Sequence, residues 1–222
     1  MLSQSIQDYL KHIYRFEAEG RRPSTNDLAK GMAVAAASVT NMLKRLAEMN
    51  LVEYTSYRGV SLTASGRLIA LEMLRHHRLI ETYLAQALGY SLDQLHDEAE
   101  HLEHHISEQF EDRIDALLGH PCYDPHGDPI PTKEGLVPPT YNNALSDAAL
   151  NVPLVVRRIS DHSNELLRYL MDCNLIPNTE LVILNRAPFE GPLTLKIAGS
   201  VVMVGHKAAC YVFVEQWDGS KT

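Results

Sequence analysis

The sequence predicts a mainly α-helical protein with a small β component, in three parts: an N-terminal winged helix-turn-helix, a helical middle and a small C-terminal barrel. Three observations predict it. Helical apolar spacing over residues 4–50 is followed at once by alternating apolar positions in LVEYTSYRGVSLT. The stretch from Ala64 to Leu88 carries a wide apolar face and meets no breaker before Gly89. From Val152 onward the pattern changes to short β-rich runs, as in small barrels.

The elements follow in order. Ile6, Tyr9, Leu10, Ile13, Tyr14 and Phe16 place a helix over 4–19, ended by Gly20 and the RRP after it. Ser24 caps a second, short helix, with Asp27 as the acidic arm of a capping box. A turn near Gly31 to Ala35 leads to a third helix over 36–50, expected to direct Val39, Met42, Leu43, Leu46 and Met49 inward. Val52 and Tyr54, then Val60 and Leu62, alternate as strands joined by the turn Tyr57-Arg58-Gly59. Helix-turn-helix followed by a hairpin is the winged-helix order. The front of the third helix offers Ser38, Thr40, Asn41 and Lys44, whose hydroxyl, amide and ammonium groups suit base edges and phosphates of double-stranded DNA. Arg58 at the wing tip suits phosphate or the minor groove. A winged helix used only for protein contacts is the alternative.

After the Ala64–Leu88 helix, Leu95, Ala99, Leu102, Ile106 and Phe110 predict the apolar stripe of one further helix. Two such helices need more cover than a small winged helix offers, and a homodimer is the economical solution. HPCYDPHGDPIPTKEGLVPP is rich in proline and glycine and is read as a connector, continuing as a linker to Asn151. PLVVRRIS, ELVILNR, LTLKIAG, VVMVG and CYVFVEQW are the strands of the last part, with one helix over 163–172 among them. The expected domains are 1–63 for DNA binding, 64–140 for the helical middle, 141–151 as linker and 152–222 as the barrel.

Charge is divided unevenly along the chain. The net charge is −8, but residues 1–75 hold ten basic against seven acidic residues, and the remainder ten against twenty-one. A mildly basic first third on an acidic body suits a DNA-binding module attached to a cation-binding one. No apolar run approaches the roughly 18 residues of a membrane span, and MLSQSIQDYL lacks a signal pattern, so the expectation is a cytoplasmic protein with no membrane contact. Cys122, Cys173 and Cys210 are too far apart for a CxxC site and are expected as reduced thiols.

The densest chemistry is HDEAEHLEHH, residues 96–105, with four histidines and four acidic residues. Taking about 100° per residue from Leu95, Glu103, Glu100 and His104 fall near 80°, 140° and 180°, on one flank of the expected stripe. His101 and His105 fall on the other. Asp8, beside apolar Tyr9, is a candidate fourth ligand from the first helix. His77 and Glu81 stand at i and i+4, and Asp124 and His126 sit on the proline-stiffened loop. Carboxylates and imidazoles suit manganese, iron, cobalt and zinc, and no soft donor joins them. The rival readings are a solvated charged helix and a di-metal carboxylate enzyme. The enzyme needs a Glu-x-x-His pair on each of two helices, and only Glu98 to His101 provides one. HExxH, a nucleophile elbow and a glycine-rich phosphate loop are all absent. The expectation is therefore not an enzyme.

SIQDYLKHIY, SVTNMLKRLAEMNLVEYTSYRGVSLTASG, HRLIETYL, HDEAEHLEHHIS and PHGDPIP together resemble the diphtheria toxin repressor family of metal-dependent transcriptional regulators, and more closely its manganese-responsive branch. The resemblance covers nearly the whole chain and implies an SH3-like C-terminal domain. It implies a primary metal site at Asp8, His77, Glu100, Glu103 and His104, and an ancillary site at Glu81, Asp124, His126, Asp161 and His96. Iron-responsive members have methionine where Asp8 stands and cysteine where Glu100 stands; the carboxylates here favour Mn(2+) over Fe(2+), with Co(2+) and Zn(2+) as further alternatives. Lys11 departs from a small two-domain manganese regulator type that has an acidic ligand there, which puts a binuclear site at that position in doubt. The implied function is a manganese-dependent, homodimeric repressor of metal-ion uptake genes that binds a palindromic operator. An iron(II)-dependent repressor of the same family is the alternative.

Overall fold

The computed structural model describes residues 2–55, 59–160 and 163–217. Arg58 and Asp161 lie outside the described residues. The chain forms two units. The first comprises Met1–His77, Glu103–Ser107 and Pro131–Val137; the second comprises Arg78–Leu102, Glu108–Ile130 and Pro138–Thr222.

In the first unit, α1 (Gln4–Ala18) buries Ile6, Tyr9, Leu10 and Ile13, the i, i+3, i+4, i+7 stripe of a helix lying on a core. α2 (Thr25–Gly31) begins with the expected capping box: the Asp27 amide donates to Ser24 Oγ at 3.2 Å and the Ser24 amide to Asp27 Oδ2 at 2.8 Å. Hydrogen bonds from Ser24 hold the Asp27 carboxyl below its ordinary range. α3 (Ala36–Glu48) seats Val39, Leu43 and Leu46 in the same core. It stops two residues short of expectation, because Asn50 takes a left-handed conformation (φ 59°) and turns the chain. Met49 therefore follows the last helical turn and is exposed, not inward.

β1 (Val52–Thr55) and β2 (Gly59–Leu62) pair antiparallel, with Val52 opposite Leu62 and Tyr54 opposite Val60. α4 (Ala64–Leu88) keeps the predicted bounds. Its start is fixed by Thr63, whose hydroxyl donates to Asn50 O at 2.8 Å and accepts from the Gly66 amide at 3.1 Å. Gly66 is required: a Cβ there would stand 2.0 Å from Leu51 O. Glu17, in the last turn of α1, accepts from the Leu62 amide at 2.9 Å and pairs with Arg67. One carboxylate thus joins α1, the wing strand and α4.

In the second unit, α5 (Leu92–Leu102) and α6 (Glu108–Leu117) replace the single helix expected through Phe110. Leu102 and Phe110, two of the five stripe positions, are exposed. The wheel angles assigned to Glu103, His104 and His105 do not apply, because the helix has ended before them. β3 (Pro153–Ile159), α7 (Asn164–Asp172), β4 (Glu180–Arg186), β5 (Leu193–Ile197), β6 (Ser200–Val204), the short α8 (His206–Ala209) and β7 (Val212–Gln216) follow. The strands form an antiparallel sheet in the order β6-β5-β4-β3-β7. Register shifts between Val156 and Arg158 and between Ile183 and Asn185 bend it around a core of Val156, Ile159, Leu167, Leu170, Leu195 and Val214.

The expected linker is part of this core. Asn143 O accepts from the Val214 amide at 2.9 Å, and the Leu145 amide donates to Val212 O at 2.8 Å. Leu145 and Ala148 are buried and pack in the cluster. The physical reason is the free edge of β7, whose backbone groups need partners that residues 143–145 supply. Among the described residues, no helix is long and apolar enough to cross a membrane.

Replacing Glu17 with Ala removes the acceptor for a backbone amide, a charge-assisted bond worth about 1.5–3 kcal/mol. Urea unfolding of Glu17→Ala is expected to show a lower midpoint at unchanged slope, with Glu17→Gln losing less.

Candidate metal centres and DNA-reading surface

One face of α1 is polar over its first two turns. Gln4, Gln7, Asp8 and Lys11 stand at i, i+3, i+4 and i+7, and all four meet the turn 103–105 in the first unit. Gln4 Nε2 lies 3.0 Å from His105 Nε2, Gln7 Oε1 lies 2.9 Å from His104 Nδ1, Asp8 Oδ1 lies 2.9 Å from His104 Nε2, and Lys11 pairs with Glu103. From α4, His77 Nδ1 reaches Glu103 Oε2 at 2.5 Å, and His76 Nδ1 donates to the Glu103 carbonyl at 3.3 Å. Lys11 and Glu103 are both shielded from solvent.

This is why the helix ends at Leu102. Buried Glu103 needs cationic or hydrogen-bonding partners, and a turn delivers it to Lys11 and His77.

The donor atoms of Asp8, Glu103 and His104 all lie within 4.8 Å of one another. Their chemistry fits a divalent ion. With Nδ1–H donated to Gln7, His104 Nε2 presents its lone pair toward Asp8, an arrangement that a cation between them stabilises. Asp8, His77, Glu103 and His104 of the expected primary set therefore share one unit. Glu100 is a half-buried residue of α5 in the second unit.

The second unit brings Glu81, Asp124 and His126 together, all buried, with donor atoms again within 4.8 Å. His126 Nε2 donates to Leu92 O at 3.1 Å, which turns Nδ1 toward Glu81 Oε2, 3.8 Å away. His96 Nδ1 stands 4.0 Å from Glu81 Oε1. The loop is held by Asp124 Oδ1, which accepts the His126 and Asp128 amides at 2.8 and 2.9 Å. Arg78 binds Pro129 O at 2.5 Å and stands 3.6 Å from Asp124 Oδ2. Gly127 has φ 89°, and a Cβ there would stand 1.9 Å from Arg157 O, so the loop lies directly on β3. Burial first, and then the charge of Glu81, push the Asp124 carboxyl up to about 8.

On α3, Ser38, Asn41 and Lys44 are exposed on the side opposite Val39, Leu43 and Leu46. Thr40 is half-buried and its hydroxyl donates to Ala36 O at 3.0 Å. Sequence reasoning missed the roles of His76 and Arg78, which hold the Glu103 turn and the Asp124 loop. The polar heptad Gln4-Gln7-Asp8-Lys11 was the available signal for the α1 contacts.

The model of the iron dependent repressor N-terminal DNA binding domain matches residues 1–60, and that of the iron dependent repressor metal binding and dimerisation domain matches residues 63–132. A FeoA domain, which is SH3-like, matches residues 143–216. The iron-dependent repressor IdeR of Mycobacterium tuberculosis is 30% identical over 228 residues, 97% of this chain and 98% of the relative. A solved manganese-dependent transcriptional repressor in complex with manganese is 39% identical with a TM-score of 0.84, over 96% of this chain and 100% of that one. The manganese regulator SloR is 32% identical with a TM-score of 0.76, over 96% and 98%.

The fold and its matches define a metal-dependent DNA-binding repressor that dimerises, not an enzyme. The chain belongs to the iron-dependent repressor family that includes the diphtheria toxin repressor.

The raised Asp124 carboxyl has a pH signature. A carboxyl whose folded pKa lies above its unfolded value near 4 contributes stability at low pH and loses it as pH rises toward about 8. In chelator, the stability of the parent relative to Asp124→Asn is therefore expected to fall between pH 5 and pH 8.5. Thermal melts across that range measure it, and a flat difference contradicts the assignment.

Proposed function

We propose that this protein is a manganese-activated homodimeric repressor that binds a palindromic operator and controls metal-ion uptake genes. The observation that carries the reading is the contact of α1 with the turn 103–105 through Asp8 and His104. α1 packs in the core that also seats α3, so the same helix carries a candidate ligand and supports the candidate recognition helix. A bound divalent ion would supply positive charge among Asp8, Glu103 and His104, with His77 beside Glu103. These side chains then hold α1 against the turn, and α3 keeps the placement that a half-site requires. Coupling of about 1–3 kcal/mol between ion and DNA gives roughly 5- to 150-fold tighter operator binding.

Oxygen and imidazole donors without thiolate or thioether support manganese, as do the solved manganese regulators that the chain resembles. Glu81, Asp124 and His126 are proposed as the ancillary site, with His96 beside Glu81. The similarity to IdeR over nearly the full chain supports a second reading, in which iron(II) is the activator.

One titration separates these readings. Chelator-treated protein is measured on a palindromic duplex, selected from random DNA by the manganese-loaded protein, against manganese and, anaerobically, iron(II). Manganese is expected to tighten binding at least 5-fold and to do so more strongly than iron(II). No change on saturation with manganese overturns the manganese reading, and a larger gain with iron(II) establishes the second. His104→Ala and Asp8→Ala are expected to lose the gain and keep the metal-free affinity.

On the DNA side, Lys44→Ala is expected to weaken binding to all sequences and reduce its salt dependence. Asn41→Ala is expected to relax base preference at one position, at a cost of about 1–3 kcal/mol on the operator. Equal losses on operator and random DNA assign Asn41 to backbone contacts only.

A further inference from the structure

Lys11 is wholly buried, and the repressor mechanism above does not use it. A buried ammonium persists only where a carboxylate and further polar groups compensate it. Its partner is Glu103, itself buried, whose other oxygen lies 2.5 Å from His77 Nδ1. The cluster that offers Asp8, Glu103 and His104 to a metal thus already contains one fixed positive charge.

We propose that Lys11 is the resident cation of this cluster: its ammonium occupies one oxygen of Glu103, restricts the cluster to a single divalent ion and sets how tightly that ion is held. The inference rests on the reading of Asp8, Glu103 and His104 as metal ligands.

The charges carry the argument. Asp8 and Glu103 supply two negative charges and Lys11 cancels one, while neutral imidazoles add none. One divalent ion leaves a single positive excess that surrounding dipoles can absorb. A second would leave three positive charges around the buried Lys11, His77 and Glu103, where like charges repel strongly. Lys11 also keeps Glu103 compensated before any ion arrives, so the metal-free turn keeps its fold. Its place on α1, three residues after Asp8, puts the resident charge and the candidate ligand on the same helix face.

The test counts ions and measures affinity in the full-length chain. The parent carries Glu81→Gln and His126→Ala, so that only the first cluster is read. Manganese(II) is titrated into chelator-treated protein, and the free ion is quantified by its electron paramagnetic resonance signal. The parent is expected to bind one ion. Lys11→Met is expected to bind one ion about tenfold more tightly or better, since the opposing charge is gone. Lys11→Arg, which keeps the charge, is expected to stay within about threefold of the parent, and Lys11→Glu to take up two ions.

Thermal melts give a second readout. Metal-free Lys11→Met is expected to melt below the parent, because Glu103 has lost its cation, and manganese should raise its melting temperature by more. If Lys11→Met does not fold without metal, Lys11→Gln, whose amide still donates to Glu103, takes the same titration with the same expected tightening.

Unchanged or weaker binding by the uncharged variants, or a single ion in Lys11→Glu, overturns the role of Lys11 alone. A parent that binds no manganese, or one whose binding is indifferent to His104→Ala, overturns the ligand assignment as well.

Discussion

The carboxylate of Glu103 is the interaction on which the first unit depends. It is buried, and a buried carboxylate must be matched by donors or cations that remain in place. Lys11 and His77 supply them from two different helices, and His76 fixes the backbone of the same residue. Satisfying that one group requires α5 to end and the chain to turn. The turn then presents His104 to Asp8 and Gln7. A local electrostatic demand thereby sets the position of a candidate ligand and the attachment of the helix that packs with the candidate recognition helix.

The two clusters solve the histidine problem in opposite ways. His104 donates through Nδ1 to a side-chain amide and directs Nε2 at Asp8, whereas His126 donates through Nε2 to a main-chain carbonyl and directs Nδ1 at Glu81. In each case the outer hydrogen bond chooses the tautomer and aims the lone pair. The carboxylates differ more. Glu103 has a buried lysine against it, but Asp124 is buried beside Glu81 with Arg78 3.6 Å away. One cluster carries its own cation, and in the other burial and the charge of Glu81 raise the Asp124 carboxyl.

Much of this was legible in residue order. The Ser24–Asp27 capping box, the wing strands and the end of α4 are written in local chemistry: a hydroxyl three residues before an acid, alternating apolar residues, and Gly89 after the last helical turn. The break after Leu102 was not, because Ile106 and Phe110 continue the helical period and only contacts from α1 and α4 overrule it. Lys11 stood out as a departure from a family pattern, yet its pairing with a residue ninety-two positions away is a property of the fold. The stretch 141–151 carries too few apolar residues to announce a core role. It acquires one because β7 leaves an edge to be covered.

The glycine at 127 has a wider consequence. Its backbone is pressed against Arg157, and the neighbouring His126 carbonyl takes the Ile159 amide at 2.8 Å, so the loop carrying two candidate ligands is seated on the first strand of the barrel. The barrel is therefore not an interchangeable appendage. A homologous barrel grafted in its place inherits the task of shaping that loop, and one with a different outline at Arg157 and Arg158 would deform the donor set without altering a single ligand. Divergence of the C-terminal domain thus becomes a way to reshape the candidate donor set from outside it.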